Sequence, residues 1–134
     1  MIKLHTILFG IALLASPFFN PAQATTLTLA EKASIQASMQ RHVDGKLVDG
    51  ALLYLDQKTG EVQRLHPITA HPMILTMGEH YVLCFDFRDD AGENVPVDYY
   101  MARRDDAYVV FHTAIADRAF LKRLMSDGKI ARLR

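Results

Sequence analysis

The stretch Met73–Phe87, MILTMGEHYVLCFDF, predicts a β-strand of unusual length with a bulge or bend at Gly78. Successive side chains of a strand point to opposite faces of its sheet. One face therefore carries Tyr81, Leu83, Phe85 and Phe87, and the other carries His80, Val82, Cys84, Asp86 and Arg88. The first of these faces is the more apolar, so we expect it to form the core.

A β-hairpin is predicted before this strand. Residues 51–55, ALLYL, and residues 61–65, EVQRL, are predicted strands that flank a loop ending in Gly60, as a type I turn closed by a glycine bulge requires. A connector over residues 66–72, which contains two prolines and two histidines, leads to the long strand. Strands over residues 94–103 and 107–113 then complete an antiparallel meander.

Helices are predicted at both ends of the meander. Thr28 and Glu31 have the spacing of a capping box, and the helix that follows should stop near Gly45. Asp117 should cap a short second helix that ends at Gly128. This order predicts an α+β fold, in which the N-terminal helix packs on a curled antiparallel meander of four or five strands.

The element order resembles the cystatin-like and NTF2-like superfold, in which a bent sheet wraps an N-terminal helix. The hairpin Asp56-x-x-Thr-Gly60-Glu-Val62 is also similar to the hairpin of PepSY-type secreted domains. Both resemblances cover most of the chain after residue 24. They imply a binding or inhibitory module more than an enzyme, although such folds carry many functions.

The first 24 residues predict a secretory signal peptide. Lys3 and His5 form a basic n-region, residues 7–14 form an apolar h-region, and Ala22-Gln-Ala24 has the small-x-small pattern of a cleavage site. The apolar run is shorter than the roughly 20 residues that a membrane-spanning helix needs. We therefore expect cleavage near Ala24, no permanent membrane anchor, and a periplasmic or secreted single domain over residues 25–134.

Charge and cysteine content exclude some classes of function. The chain has 15 Lys and Arg and 15 Asp and Glu, and only Lys3 of these lies in the first 24 residues. The remaining chain has no basic excess, which argues against nucleic acid as a partner. Cys84 is the single cysteine, so an internal disulfide cannot form.

Hairpin registers bring apolar residues together on the core face. A three-residue loop at 90–92 sets Phe85 opposite Val97, and a three-residue loop at 104–106 sets Tyr99 opposite Phe111. The centre of the core is therefore predicted to consist of Leu83, Phe85, Tyr99 and Phe111.

The same registers set Asp98 between Cys84 and His112 on the other face. A thiol, a carboxylate and an imidazole are the ingredients of a cysteine-dependent hydrolase or of a metal site. Cys84 and His112 would nevertheless lie two strands apart, roughly 9–10 Å at the backbone. We therefore expect Asp98 to pair with His112, Cys84 to pack, and no catalysis to occur.

A second metal hypothesis concerns residues 71–80. Thioether and imidazole ligands suit cuprous copper, and a copper-binding protein would need two or three side chains to converge out of five candidates, one of which is Cys84. Packing of the methionines in the core is the alternative, and no cofactor is assigned. The other candidate ligands are His71, Met73, Met77 and His80.

An apolar row is predicted on the outer face at Val82, Tyr100 and Val110. This row is either an interaction surface for a protein partner or a second copy, or it is covered by residues 118–128. The sequence therefore predicts a binding module for a protein or a small ligand, with copper binding and cysteine-dependent hydrolysis as alternatives.

Overall fold

The computed structural model describes residues 26–133, and the predicted signal peptide lies outside these residues. The elements are α1 (Leu29–Asp44), β1 (Leu47–Val48), β2 (Ala51–Leu55), β3 (Val62–Met77), β4 (His80–Arg88), β5 (Asn94–Arg104), β6 (Ala107–Ile115), α2 (Arg118–Ser126) and β7 (Ala131–Arg132). Strands β1 to β6 follow one another across an antiparallel sheet, and β7 pairs with β3. The α+β arrangement is confirmed, and the sheet has more strands than the predicted four or five.

The capping box at the start of α1 is confirmed. The Glu31 backbone N–H donates to Thr28 Oγ1 at 3.1 Å, and the Thr28 N–H donates to the Glu31 carboxylate at 2.8 Å. Ile35, Met39 and Val43 recur every four residues and are buried against the sheet. Neither helix of residues 26–133 has the length and the apolar character that crossing a bilayer requires.

The stretch Met73–Phe87 is a hairpin, so the prediction of one long strand is wrong. Strand β3 ends at Met77, β4 begins at His80, and these two residues pair. Gly78 has a φ of +60°, which lets the chain reverse within two residues. The apolar pattern continues on both sides of the turn, so periodicity alone does not separate a bend from a reversal.

The predicted connector over residues 66–72 is part of β3. This strand is 16 residues long, and it pairs first with β2 and then with β4. Its register shifts between Pro67 and Thr69 and again between Ala70 and Ile74, which accommodates the two prolines. Strand β3 thereby joins a hairpin arm, formed by β1, β2 and the start of β3, to the rest of the sheet.

The two helices cover opposite faces of the sheet. The core under α1 includes Leu83, Phe85 and Tyr99, as predicted. The opposite face is covered by α2 and the segment that follows it, and a second apolar cluster lies there. This second cluster consists of Leu75, Val82, Cys84, Tyr100, Ala114, Leu121 and Ile130.

The β4–β5 register is confirmed, whereas the β5–β6 register is wrong. The turn between β5 and β6 contains only Asp105 and Asp106, because Asp105 adopts a φ of +53°, which aspartate tolerates. A register shift at Phe111 then sets Tyr99 opposite Thr113. Phe111 is 51% exposed, so its predicted place in the core is also wrong.

Candidate functional site

Cys84 and Asp98 lie side by side on β4 and β5, beneath α2. The helix adds a third group: Arg118 Nη1 lies 3.0 Å from Asp98 Oδ1 and donates to Cys84 Sγ at 3.2 Å. Asp117 caps the helix by accepting a hydrogen bond from the Phe120 N–H at 3.1 Å. That cap fixes the first turn of α2, so it also holds Arg118 above β4 and β5. We refer to Cys84, Asp98 and Arg118 as the buried cluster.

His112 is not part of the buried cluster. The two-residue turn at Asp105 and the register shift at Phe111 each move the pairing by one residue, so the partner of Asp98 on β6 is Ala114 and not His112. The His112 ring instead lies 5.2 Å, centroid to centroid, from the ring of Tyr100. The predicted convergence of Cys84, Asp98 and His112 is therefore wrong.

Burial controls the protonation of the cluster. Burial, followed by the neighbouring Asp98 carboxylate, raises the pKa of Cys84 to about 11. Burial also raises the pKa of Asp98, although Cys84 and Arg118 oppose this shift. A thiol with so high a pKa is protonated at neutral pH and is a poor nucleophile. The cluster therefore fits the attachment of α2 to the sheet better than cysteine-dependent hydrolysis.

Two polar atoms beneath α2 are left without a hydrogen bond. The contact between Arg118 and Asp98 Oδ1 is short, but it is not aligned as a hydrogen bond. Asp98 Oδ1 and the Tyr100 hydroxyl consequently lack a hydrogen-bond partner among the described residues. Burial raises the pKa of Tyr100 to about 12, which keeps its hydroxyl protonated.

The four residues predicted as copper ligands do not converge. His71 Nε2 lies 2.7 Å from Asp86 Oδ2 near one end of β4, whereas His80 begins that strand and packs on Phe111. The six residue-to-residue steps from His80 to Asp86 span roughly 20 Å. Met77 packs against the cluster under α2, and Met73 is exposed. Among residues 26–133 no group of three or more His, Cys, Asp or Glu could hold a metal ion.

The row predicted to be an exposed interaction surface is covered. Val82 and Tyr100 are fully buried, and the Phe120 ring of α2 lies 5.8 Å from the Tyr100 ring. Val110 packs on the opposite face, against the core under α1, because it pairs with Met101. The alternative, in which the C-terminal helix folds back over the row, is therefore correct for Val82 and Tyr100.

A different group of apolar side chains is exposed together on the hairpin arm. Leu55 pairs with Val62, and Val48 pairs with Ala51, which is two residues before Leu53. These pairings set four large apolar side chains on one face. Their exposed fractions are 51% for Val48, 45% for Leu53, 58% for Leu55 and 63% for Val62. We refer to these four residues as the apolar arm surface.

The opposite face of the arm is held against the main core. Leu65 is buried there, and Leu52 and Tyr54 are partly buried in the same cluster. Strand β1 pairs only with Ala51 and Leu52, so the outer edge of residues 53–55 has no strand partner among the described residues. The arm is thus anchored on one face, and it presents both an apolar face and a strand edge.

Sequence reasoning missed the arm and Arg118 for different reasons. The arm strands were predicted, but the apolar residues of a strand do not say which of its two faces a neighbouring element will cover. Arg118 comes from a separate element, and its only sequence signal is its position directly after the Asp117 cap.

In comparisons with known proteins, no family model, no curated protein and no solved structure matches this chain. The resemblance to the cystatin-like and NTF2-like superfold therefore stays a prediction. Function must be argued from the chemistry of the surfaces themselves.

Proposed function

We propose that this protein is a binding module that holds a protein partner on the apolar arm surface. The observation that carries this proposal is the exposure of about half of each side chain of Val48, Leu53, Leu55 and Val62 on one face. Single exposed apolar residues are common on protein surfaces, whereas contiguous groups are typical of interaction sites. The proposal keeps the predicted binding role and moves it to a different surface.

The partner that best fits this surface is an extended apolar segment. Such a segment can add as a strand beside residues 53–55, because their edge is open, and its alternate side chains can then cover the arm face. Arg64 pairs with Leu53 and therefore lies on this face, and Asp56, Lys58 and Glu61 belong to the adjoining loop between β2 and β3, so charges of both signs lie near the surface. Charges of both signs near the surface favour a bound segment of low net charge.

We also propose that binding takes place in the periplasm or outside the cell. Support comes from residues 1–24, which have the basic, apolar and small-x-small regions of a secretory signal peptide. Cys84 is buried and its raised pKa keeps the thiol protonated, which supports a role in binding over thiol catalysis.

Selection of heptapeptides from a phage-displayed random library tests the proposal. We expect enrichment of sequences with alternating apolar residues, and we expect a synthetic copy of the best peptide to shift the backbone amide resonances of residues 53–55 and 62. Leu55→Asp should weaken that peptide at least about tenfold, since burial of a leucine contributes about 1.5–3 kcal/mol.

Leu29→Asp is the matched control, because Leu29 is 85% exposed and lies in the first turn of α1, where an acidic residue is favourable. This variant should bind the peptide as the wild type does. The proposal fails if no peptide is enriched, if the shifts fall outside the arm, or if both variants weaken binding equally.

A further inference from the structure

A groove of about 410 Å³ lies between the C-terminal half of α1 and the β5–β6 hairpin. On the helix side it is lined by Ser38, Arg41 and His42. On the hairpin side, Arg104 and three residues of β6 complete it. It shares no residue with the apolar arm surface or the buried cluster. Its volume is within the range of small-molecule sites, which is roughly 300–1,000 Å³.

Two arginines line the groove, Arg41 from α1 and Arg104 from the end of β5. Among the described residues neither Arg41 nor Arg104 forms a salt bridge, although Arg103 pairs with Glu31 at 3.0 Å. Arg41 Nη2 donates to the buried Ser38 Oγ at 3.0 Å, which holds this guanidinium at the groove wall. The donors that remain on both arginines are available to an anionic ligand.

The acidic residues near the groove differ in their availability to these arginines. Asp44 follows Arg41 in α1 and accepts a hydrogen bond from Gln40 at 2.9 Å. Asp105 and Asp106 follow Arg104 in the β5–β6 turn, and neither forms a salt bridge within residues 26–133. The groove itself is lined by cationic, aromatic, apolar and hydroxyl side chains, with no carboxylate.

Tyr108 and Val110 form the part of the β6 wall that faces α1. Val110 is half-buried and Tyr108 is almost fully buried, whereas Val109 pairs with Ala102 and its side chain points to the other face of the sheet. The Tyr108 hydroxyl accepts a hydrogen bond from Arg103 Nη2 at 2.8 Å, which directs its polar end to that partner. A ligand in the groove would therefore meet cationic donors on one side and the Val110 side chain on the other.

We propose that this groove binds a small organic anion, whose carboxylate or phosphate pairs with Arg41 and Arg104 and whose apolar part lies against Val110 of β6. Guanidinium groups recognise both kinds of oxyanion through paired, charge-assisted hydrogen bonds. The His42 imidazole, which also lines the groove, can supply a further hydrogen bond. This site is independent of the proposed partner surface and adds a second binding activity to the molecule.

Calorimetric titration with benzoate, phenyl phosphate, benzamide and inorganic phosphate tests the inference. At least one of the two aromatic anions should bind, and the better one identifies the preferred head group. Benzamide, which lacks the charge, and inorganic phosphate, which lacks the ring, should each bind at least about tenfold more weakly. The inference is overturned if neither aromatic anion binds, or if benzamide or inorganic phosphate binds as tightly as the better anion.

Variants locate the site. Arg41→Gln and Arg104→Gln should each weaken the better anion at least about tenfold, because each removes a charge-assisted contact. Arg88→Gln is the control, since Arg88 is exposed at the end of β4 and forms no salt bridge among the described residues. Equal weakening by all three variants would show a general charge effect and overturn the inference.

One further variant separates this inference from the proposed function. Leu55→Asp should weaken peptide binding at the arm and leave anion binding unchanged. Loss of anion affinity in this variant, with the fold intact by NMR, would contradict the independence of the groove.

Discussion

Asp98 on β5 and Arg118 in the first turn of α2 form an ion pair of 3.0 Å between the sheet and the second helix. Asp98 is 1% exposed, whereas Arg118 remains partly accessible to solvent. A buried carboxylate is costly unless a positive group compensates it. This pair therefore helps to specify where α2 docks on the sheet.

The raised pKa of Asp98 predicts a specific dependence of stability on pH. Since burial raises this pKa above its ordinary value of 3.8, the folded state holds the proton more tightly than the unfolded chain. The stabilising contribution of that proton is complete below pH 3.8 and is lost as the pH rises through the folded pKa. An asparagine cannot lose this proton, so Asp98→Asn should not lose stability in this way. The free energy of unfolding of the variant, relative to that of the wild type, should therefore rise from pH 4 to pH 7. Urea unfolding at several pH values measures the difference, and a constant difference would contradict the prediction.

The thiol of Cys84 should react slowly in the folded protein. Its pKa of about 11, against an ordinary value of 9.0, lowers the thiolate population at pH 8 about a hundredfold. We expect iodoacetamide to label the native chain at least about a hundred times more slowly than the same chain in urea. The urea sample is the internal control, and equal labelling rates would show that α2 does not cover the thiol.

Tyr100 allows the covered face to be tested with two substitutions. Its hydroxyl is buried without a hydrogen-bond partner among the described residues, so Tyr100→Phe should change the free energy of unfolding by less than about 1 kcal/mol or increase it. Tyr100→Asp buries a charge beneath α2 and should cost several kcal/mol. Thermal and urea unfolding measure both effects. A stable Tyr100→Asp variant would mean that this face is open to solvent.

Leu83 and Phe111 form a matched pair for the assignment of the core. Leu83 is fully buried, so Leu83→Ala should lower the free energy of unfolding by about 2–5 kcal/mol. Phe111 is half exposed and packs edge-on against His80 at 5.3 Å, so Phe111→Ala should cost less than about 1.5 kcal/mol. Urea unfolding of the two variants side by side distinguishes the observed β5–β6 register from the predicted one. A larger loss at Phe111 than at Leu83 would favour the predicted register.

Local signals in the sequence predicted the features that depend on a few adjacent residues. The capping box of Thr28 and Glu31 is such a feature, because both partners lie within one helical turn. The pairing of Cys84 with Asp98 was also predictable, since Gly92 marks a short loop and only one register keeps the apolar residues on one face.

The errors arose where two backbone conformations fit the same apolar pattern. Gly78 suits a bulge as well as a turn, and the choice depends on the pairing of β3 with β4 along their length. The turn at Asp105 and the register shift at Phe111 change the pairing of His112 without changing the composition of β6. The ion pair between Asp98 and Arg118 joins separate elements, so its identification required the docked position of α2.

The packing of α1 on β6 has a consequence for the order in which the chain folds. The first helix of the described chain rests on the last strand of the meander, and more than sixty residues separate Asp44 from Ala107. A polypeptide that emerges with its N-terminus first therefore presents Ile35, Met39 and Val43 before the strand that covers them exists. Closure of so distant a contact is slow compared with the formation of neighbouring hairpins. Native burial of the apolar side of α1 is thus a late event that waits for the C-terminal third of the chain.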